Sequence, residues 1–173
     1  MDLWIYQELI TKIKPSLIIE TGTCFGGSAL FLADMLDLNS RGRVITVDIK
    51  VPKNPPKHKR LNYILGSSVA DLTIEKVKQF LPRGGPVMVI LDSNHRMDHV
   101  LKEMELYGPL VTKDSYMIVE DTSINRLVRE EHGPGPGEAV DEFLSGDTGF
   151  VVDYDCEKFY MTFNPGGYLK KKK

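Results

Sequence analysis

The sequence has little cysteine, little net charge and no long apolar run. Its only cysteines, Cys24 and Cys156, lack CxxC partners, which excludes a disulfide framework and favours a reducing compartment. The formal net charge of -2 gives no general electrostatic support for nucleic-acid binding. No apolar run is long enough to span a bilayer, and residues 1–15 lack a signal-peptide pattern. These absences predict a cytoplasmic protein with no membrane or nucleic-acid partner.

The composition is that of one globular domain. The chain has 173 residues, of which 42% are hydrophobic and 27% charged, and we expect a single domain over 1–173. Residues 1–14 predict an N-terminal helix with Trp4, Ile5, Leu9 and Ile13 on one side. That stripe can pack on the protein's own sheet or on a neighbouring subunit, which leaves a homo-oligomer open. The basic run 170–173 is predicted to be a solvated tail.

Strand-like and helix-like segments alternate along the chain. Buried strands are predicted at 16–20, 43–48, 61–66, 86–92 and 115–121, with helices at 27–38, 71–81, 96–107 and 138–146. Two further segments, 150–155 and 158–164, are predicted to form an antiparallel closing pair. This alternation predicts an α/β fold, with a mostly parallel sheet, helices on both faces and an antiparallel pair of strands at the C-terminus.

Polar residues accumulate where the predicted parallel strands end. They are Glu20, Asp48, Asp92, Glu120 and Asp121. Ligands of such sheets bind at the carboxyl ends of the strands, near the switch in strand order. We therefore expect the functional site at this edge of the sheet.

The stretch "IIETGTCFGGSALF" joins the first strand to its helix through a glycine-rich turn. A dinucleotide-binding GxGxxG pattern counted from Gly22 requires glycine where Cys24 stands, which disfavours NAD. Gly26 and Gly27 remain, and Ser28 is predicted to cap the following helix. Such a loop can approach a ligand closely, yet it is poorly built for a diphosphate.

S-adenosylmethionine (SAM) fits this pattern better, because it carries adenine and ribose without phosphates. Glu20 can accept a hydrogen bond from its ammonium group, and the backbone around Gly22 can approach the methionine portion. Asp48 is placed for the ribose hydroxyls, and the "GSS" at 66–68 for an adenine edge. The predicted donor-binding residues are Glu20, Gly22, Thr23, Gly26, Ser28, Asp48, Ser67, Ser68 and Asp92.

The acids after the fourth and fifth predicted strands indicate a metal site. Asp92, Glu120 and Asp121 would converge on one crevice, and their mutual repulsion would be costly without a cation. Three oxygen ligands favour a hard ion, with Mg²⁺ first and Mn²⁺ or Ca²⁺ as alternatives. Such an ion would chelate a substrate hydroxyl and orient it toward the methyl sulfonium.

Two histidines follow the first of these acids. His95, three residues after Asp92, is a candidate general base, because an imidazole titrates near neutrality. His95 and His99 have i,i+4 spacing and, with Asp92, form an alternative two-histidine, one-carboxylate site for Fe(II) or Zn²⁺. That alternative leaves Glu120 and Asp121 without a role.

Four motifs carry a family resemblance: "TGTCFGGSALFLADML", "LDSNHRMDHVLKEMELYGPLV", "SYMIVEDT" and "NPGGYLK". Together they resemble the cephalosporin hydroxylase / rhamnosyl O-methyltransferase family from about residue 18 to residue 169. The resemblance implies a class I, Rossmann-like methyltransferase fold, SAM as methyl donor and Mg²⁺ bound by Asp92, Glu120 and Asp121. The layout is also similar to catechol-type O-methyltransferases, which place a lysine base where this chain has His95.

The function that follows is a Mg²⁺-dependent, SAM-dependent O-methyltransferase. Its acceptor would be a hydroxyl of a small molecule that is a sugar, an aromatic or an antibiotic-like compound. The segment 122–137, rich in glycine and proline toward its end, is predicted to be a lid over that acceptor. The alternatives are a non-catalytic SAM-binding subunit that assists an oxidase and an Fe(II)-dependent oxygenase.

Overall fold

The computed structural model describes residues 1–124 and 133–173. The helices of this part of the chain are α1 (Asp2–Ile13), α2 (Gly27–Leu38), α3 (Asp71–Lys78), α4 (Met97–Tyr107) and α5 (Pro136–Leu144). The strands are β1 (Leu17–Thr21), β2 (Arg43–Asp48), β3 (Leu61–Leu65), β4 (Val87–Leu91), β5 (Tyr116–Val119), β6 (Phe150–Val152) and β7 (Tyr168–Lys171). Short 3-10 helices cover Gly108–Leu110 and Tyr154–Glu157.

The strands form one seven-stranded sheet in the order β3-β2-β1-β4-β5-β7-β6. The first five strands are parallel to one another, and β7 runs antiparallel between β5 and β6. Strand order reverses beside β1, which pairs with β2 on one side and β4 on the other, so the ligand-binding crevice of such a sheet is expected above the carboxyl ends of β1 and β4. The predicted α/β class and mostly parallel sheet are confirmed.

The core consists of two layers, one on each face of the sheet. Side chains of α1 and α2, among them Ile5, Leu9 and Leu32, pack on one face. Side chains of α3, α4 and α5, such as Val77 and Met104, pack on the other. In the predicted stripe of α1, Ile5 and Leu9 are buried in the protein's own core, whereas Trp4 is 57% exposed. Each face of the sheet is therefore covered by helices, as parallel sheets require.

An antiparallel pair of strands lies at the C-terminal end of the sheet, as predicted, but its second strand comes later in the chain than expected. The strand β6 pairs with β7, whereas 158–164 contains no strand, and Tyr160 within it is 97% exposed. The expectation of a solvated basic tail over 170–173 is wrong for Lys170 and Lys171, which form the end of β7. The Lys171 ammonium donates hydrogen bonds to the carbonyl oxygens of Gly108 (3.0 Å) and Val111 (2.8 Å). A long alkyl stem lets lysine occupy a half-buried strand position while its charge reaches these carbonyls.

The predicted lid over 122–137 lies partly outside the described residues, since 125–132 are not among them. Its last residues, Pro136 and Gly137, belong to α5, which begins two residues earlier than the helix predicted from the sequence. The lid therefore stays a prediction. In the described parts of the chain, no helix is long and apolar enough to cross a bilayer.

Candidate functional site

The ends of β1 and β4 touch at Gly22. A Cβ atom built on this residue would lie 1.8 Å from the carbonyl oxygen of Asp92, and the residue has φ +92°. Only glycine tolerates both the contact and the conformation. Gly22 thus brings the predicted donor-binding loop directly against the first predicted metal ligand.

Glu20, the next-to-last residue of β1, is a buried carboxylate at the bottom of the crevice. Its Oε2 atom accepts a hydrogen bond of 2.6 Å from Thr46 Oγ1. Burial raises the pKa of Glu20 to about 7, and the charge of Asp92 adds to that effect, while hydrogen bonds from Thr46 and Ser28 oppose it. Ser28 therefore faces Glu20, and the prediction that it caps α2 is wrong: the N-cap residue is Gly26, which has no side-chain cap.

Asp48 ties the glycine-rich loop to the end of β2. Its Oδ2 atom accepts hydrogen bonds from the backbone N–H groups of Thr23 (2.9 Å) and Cys24 (3.0 Å). Its Oδ1 atom accepts one from the N–H of Lys50 at 3.0 Å. Because the backbone fixes both oxygens, the carboxylate has a defined position at the mouth of the crevice.

A cavity of about 160 Å³ opens beside Asp48. Its lining residues come from the ends of β2, β3 and β4 and from α4: Val47, Asp48, Ile49, Ser67, Ser68, Ser93, Asn94 and His99. The structure thus brings the predicted ribose and adenine residues Asp48, Ser67 and Ser68 to one cavity. Sequence reasoning missed Ser93 and Asn94, although their position directly after Asp92 was a usable signal.

A compact group of possible metal ligands lies next to this cavity. One ligand atom each of Asp92, His95 and Asp121 lie within 4.8 Å of one another. His95 Nε2 is 3.0 Å from Asp121 Oδ2 and 3.7 Å from Asp92 Oδ1. Hydrogen bonds to Asp121 and then Asp92 raise the pKa of His95 to about 10 against the effect of burial. The two carboxylates therefore favour the protonated form of the imidazole that lies between them.

Backbone conformation turns Asp121 toward this group. The residue has φ +58°, a left-handed value that aspartate adopts more readily than most residues. Its N–H donates a 2.8 Å hydrogen bond to Asn164 Oδ1, which stabilises the turn. Asn164 begins the "NPGG" motif, so this motif contributes to the site by holding the turn that follows β5.

Glu120 lies beside this group and faces α1. The register of β4 and β5 pairs Leu91 with Val119, and the Glu120 N–H donates to the carbonyl oxygen of Leu91 at 3.0 Å. Its carboxylate accepts a hydrogen bond from the hydroxyl of Tyr6. Burial raises the pKa of Glu120 to about 7, the Asp92 charge raises it further, and the hydrogen bonds from Tyr6 and Asn164 lower it. Its role as a metal ligand stays a prediction.

The alternative site of Asp92, His95 and His99 is not assembled in the described part of the chain. His99 Nε2 lies 3.1 Å from Ser68 Oγ and 3.6 Å from Glu103 Oε1, on the wall of the cavity. The i,i+4 spacing would bring the two histidines to one face only within a helix, and His95 precedes α4, which begins at Met97. The geometry therefore contradicts the two-histidine iron site.

Comparison with known proteins identifies the family. The chain matches the family model described as Rhamnosyl O-methyltransferase/CmcI over residues 1–172. A rhamnosyl O-methyltransferase of Mycobacterium tuberculosis (strain ATCC 25618 / H37Rv) is 38% identical over 181 residues, covering 97% of this chain and 72% of that protein. The Mycobacterium leprae protein of the same name is 36% identical, covering 99% of this chain and 78% of that protein.

Solved structures agree at the level of the fold. CmcI bound to Mg and SAM superposes with a TM-score of 0.73 at 17% identity, covering 98% of this chain and 70% of that one. The mycinamycin-pathway methyltransferase MycE, in complex with Mg and S-adenosylhomocysteine, gives a TM-score of 0.66 at 15% identity, covering 97% of this chain and 48% of that one. These likenesses confirm the predicted methyltransferase fold, and the family model together with the mycobacterial relatives shows that the chain belongs to the rhamnosyl O-methyltransferase/CmcI family.

Proposed function

We propose that this chain is a Mg²⁺-dependent O-methyltransferase that transfers the methyl group of SAM to a hydroxyl of a sugar. The observation that carries the proposal is the adjacency of two sites. The group of Asp92, His95 and Asp121 lies next to a cavity lined by Asp48 and Ser68, and the bond from Asp92 to Ser93 joins them. Methyl transfer to a chelated hydroxyl requires a donor site and a metal site in direct contact.

The carboxylates of Asp92, Asp121 and Glu120, called the acidic group below, fit a divalent cation. Two aspartates converge within 4.8 Å, and a third carboxylate, that of Glu120, lies close enough for Asp92 to raise its pKa. This concentration of negative charge is compensated here by the His95 imidazolium. We assign Asp92, Asp121 and Glu120 as the residues that would hold Mg²⁺, which prefers oxygen ligands. Bound there, the ion would supply positive charge that orients a hydroxyl group and lowers its pKa.

The cavity supports SAM as the methyl donor. Asp48 presents a carboxylate whose position the loop fixes, as recognition of ribose hydroxyls requires. Val47 and Ile49 give the same cavity an apolar wall suited to a base. Glu20 and the backbone at Gly22 are the groups that would hold the methionine portion of the donor, because Gly22 lies against Asp92 at the ends of β1 and β4.

His95 is the proposed general base, with Nε2 as the atom that receives the proton. The carboxylates of Asp121 and Asp92 raise the pKa of His95 and favour the form in which that nitrogen carries a proton. His95 can act as a base only when another positive charge shares these carboxylates. Proton loss from His95 and occupation of the metal site are therefore coupled.

A sugar is the favoured acceptor because the mycobacterial relatives, 36–38% identical over nearly the whole chain, are named rhamnosyl O-methyltransferases. Adjacent hydroxyls of a sugar also offer two oxygens to one cation.

The test combines calorimetry with a transfer assay. S-adenosylhomocysteine (SAH) and Mg²⁺ are titrated separately into wild type, Asp92→Asn, and the control Asp98→Asn, which removes an equally charged, exposed carboxylate six residues away. We expect wild type and Asp98→Asn to bind both ligands, and Asp92→Asn to lose at least about 10-fold in Mg²⁺ affinity. Methyl transfer is then followed from labelled SAM to methyl α-L-rhamnoside, with and without Mg²⁺.

Each part of the proposal has its own contrary result. Failure of wild type to bind SAH would refute the assignment of SAM as the methyl donor. Equal Mg²⁺ affinity in wild type, Asp92→Asn and Asp98→Asn would refute the assignment of Asp92 to the metal site. Binding of both ligands without transfer to the rhamnoside or to other sugars would instead favour a non-catalytic SAM-binding subunit.

A further inference from the structure

Four polar side chains meet on the inner wall of the cavity, and two of them, Ser93 and Glu103, had no predicted role. His99 Nε2 lies 3.1 Å from Ser68 Oγ, 3.3 Å from Ser93 Oγ and 3.6 Å from Glu103 Oε1. Ser68, Ser93 and His99 line the cavity, while Glu103 lies behind them. This cluster is separate from the acidic group that we assign to the metal.

Glu103 is the unusual member of this cluster. It occupies the buried face of α4 with Val100, Met104 and Tyr107, and its side chain has no solvent exposure. Oε1 accepts a 2.7 Å hydrogen bond from Ser93 Oγ, and Oε2 has no hydrogen-bond partner among residues 1–124 and 133–173. A fully buried carboxylate with one unsatisfied oxygen is costly, so an apolar residue would serve the core better. Its contacts with the cavity wall suggest what it does instead.

The carboxylate sets the direction of the hydrogen bonds around it. A carboxylate only accepts, so the hydroxyl hydrogen of Ser93 points to Glu103, and the remaining lone pairs of Ser93 are available as acceptors. Because Ser93 gives its hydrogen to Glu103, Ser93 Oγ and Glu103 Oε1 both present lone pairs to His99 Nε2, which favours the tautomer with a hydrogen on that nitrogen. We assign His99 Nε2 on this ground as the donor to Ser68 Oγ, which lies 3.1 Å away. Hydrogen bonding to Glu103 also raises the pKa of His99, which stabilises the protonated nitrogen. Ser68 then has its own hydrogen left to donate into the cavity.

We propose that Glu103, acting through Ser93 and His99, makes this wall a donor at Ser68 and an acceptor at Ser93, and so selects adenine over hypoxanthine. The inference rests on the proposed function, because it concerns the base of the SAM donor. The hydrogen-bonding edge of adenine offers an acceptor ring nitrogen next to a donor amino group. Hypoxanthine offers a donor ring nitrogen next to an acceptor oxygen, which is the reverse. Glu103 and His99 are thus positioning residues that act through the two serines.

The test compares the affinities for SAH and S-inosylhomocysteine, which differ only at this edge of the base. We expect wild type to prefer SAH by about 30-fold or more, because the inosine compound leaves polar groups buried without partners. Glu103→Gln keeps the shape of the side chain but presents an amide that can donate to Ser93, and it should reduce that ratio at least about 10-fold. The matched control Glu105→Gln changes an exposed glutamate of the same helix, paired with Lys102, and should leave the ratio unchanged.

Circular dichroism identifies any variant that fails to fold. If Glu103→Gln does not fold, His99→Leu at a half-buried position decides the question, because leucine cannot donate to Ser68 and the same fall in the ratio is expected. The inference is overturned if the folded variants keep the wild-type ratio, or if wild type binds both compounds equally. SAH binding by wild type in those cases leaves the proposed function standing. A wild type that binds neither compound overturns the donor assignment itself.

Discussion

Replacing Gly22 with alanine tests the contact on which the whole site depends. The added Cβ would lie 1.8 Å from the Asp92 carbonyl oxygen and 2.5 Å from its carbonyl carbon, both backbone atoms, so the ends of β1 and β4 must separate. The left-handed backbone adds about 1–2 kcal/mol for a residue other than glycine. Overpacking of this kind adds about 1–3 kcal/mol. We expect Gly22→Ala to lower the free energy of unfolding by about 3 kcal/mol.

The matched control is Gly27→Ala. Gly27 is the first residue of α2, has no atom within 4 Å of a built Cβ, and is not among the glycines of positive φ. Alanine there should be neutral or stabilise the protein by about 0.5–1 kcal/mol. Urea unfolding of both variants measures the difference directly. Thermal midpoints should differ by roughly 6–16 °C, since about 1 kcal/mol shifts Tm by about 2–4 °C in a chain of this size.

We expect Mg²⁺ binding to change at Gly22 and not at Gly27. Displacement of Asp92 by the new methyl group would disturb the acidic group, so we expect Gly22→Ala to bind Mg²⁺ more weakly even where it is fully folded. Gly27→Ala should bind Mg²⁺ as wild type does. If Gly22→Ala unfolds at the wild-type urea concentration, the close approach of β1 and β4 is refuted, and with it the adjacency of the two sites.

Three further predictions test individual side chains. Burial raises the pKa of Glu20 to about 7, from a reference value of 4.5. The stability that Glu20 contributes below pH 4.5 is therefore lost as the pH rises toward 7, a change in the free energy of unfolding on the order of 3 kcal/mol. Urea unfolding of Glu20→Gln at several pH values should lack this change. Tyr6→Phe removes the hydroxyl that donates to the carboxylate after β5 and should lower the free energy of unfolding by about 1–2 kcal/mol in urea at neutral pH, whereas Tyr154→Phe, at a 70% exposed ring, should not. Lys171→Ala should lower the free energy of unfolding by about 1–2 kcal/mol, because it removes hydrogen bonds to two carbonyl groups. Lys172→Ala changes an exposed side chain and should lower it by less than about 0.5 kcal/mol, and thermal unfolding of both variants measures the difference.

Most of the parallel half of the sheet was predictable from the sequence because β1, β2, β4 and β5 are short, mainly apolar segments with an acid at or near their carboxyl ends. Val87–Leu91 is purely apolar and buried along its whole length, and the aspartate after it marks the carboxyl end. The order of such runs also locates the crevice, since parallel strands all end at the same edge. Asp48, Ser68 and Asp92 therefore lie at the edge of the sheet that the sequence predicts.

The antiparallel half was not predictable in the same way. The segment 158–164 is rich in residues that favour strands, but Met161 and Phe163 are 69% and 66% exposed and no strand forms there. The strand that does form contains only Tyr168 and Leu169 as apolar residues, followed by two lysines. A pattern so short is decided by tertiary packing against β5, which sequence periodicity does not report.

Side-chain partners were the least predictable part of the site. Glu103 lies four residues before Tyr107 and three after Val100, on the buried face of α4, and a charged residue in that pattern was a signal that sequence reasoning could have used. The partnership of Glu120 with Tyr6 spans 114 residues of sequence, and no local pattern encodes it. Such contacts depend on how α1 packs, which the sequence leaves open.

The packing of α1 links the two halves of the site. Asp2 accepts hydrogen bonds from Thr162 Oγ1 (2.6 Å) and from the hydroxyl of Tyr168 in β7 (2.8 Å), so the start of α1 is fixed to the C-terminal segment. One turn later, Tyr6 donates to Glu120 at the end of β5. A helix held at both points cannot move away from the sheet without releasing a proposed metal ligand. For this reason α1 helps to support the proposed metal site through Tyr6 and Glu120.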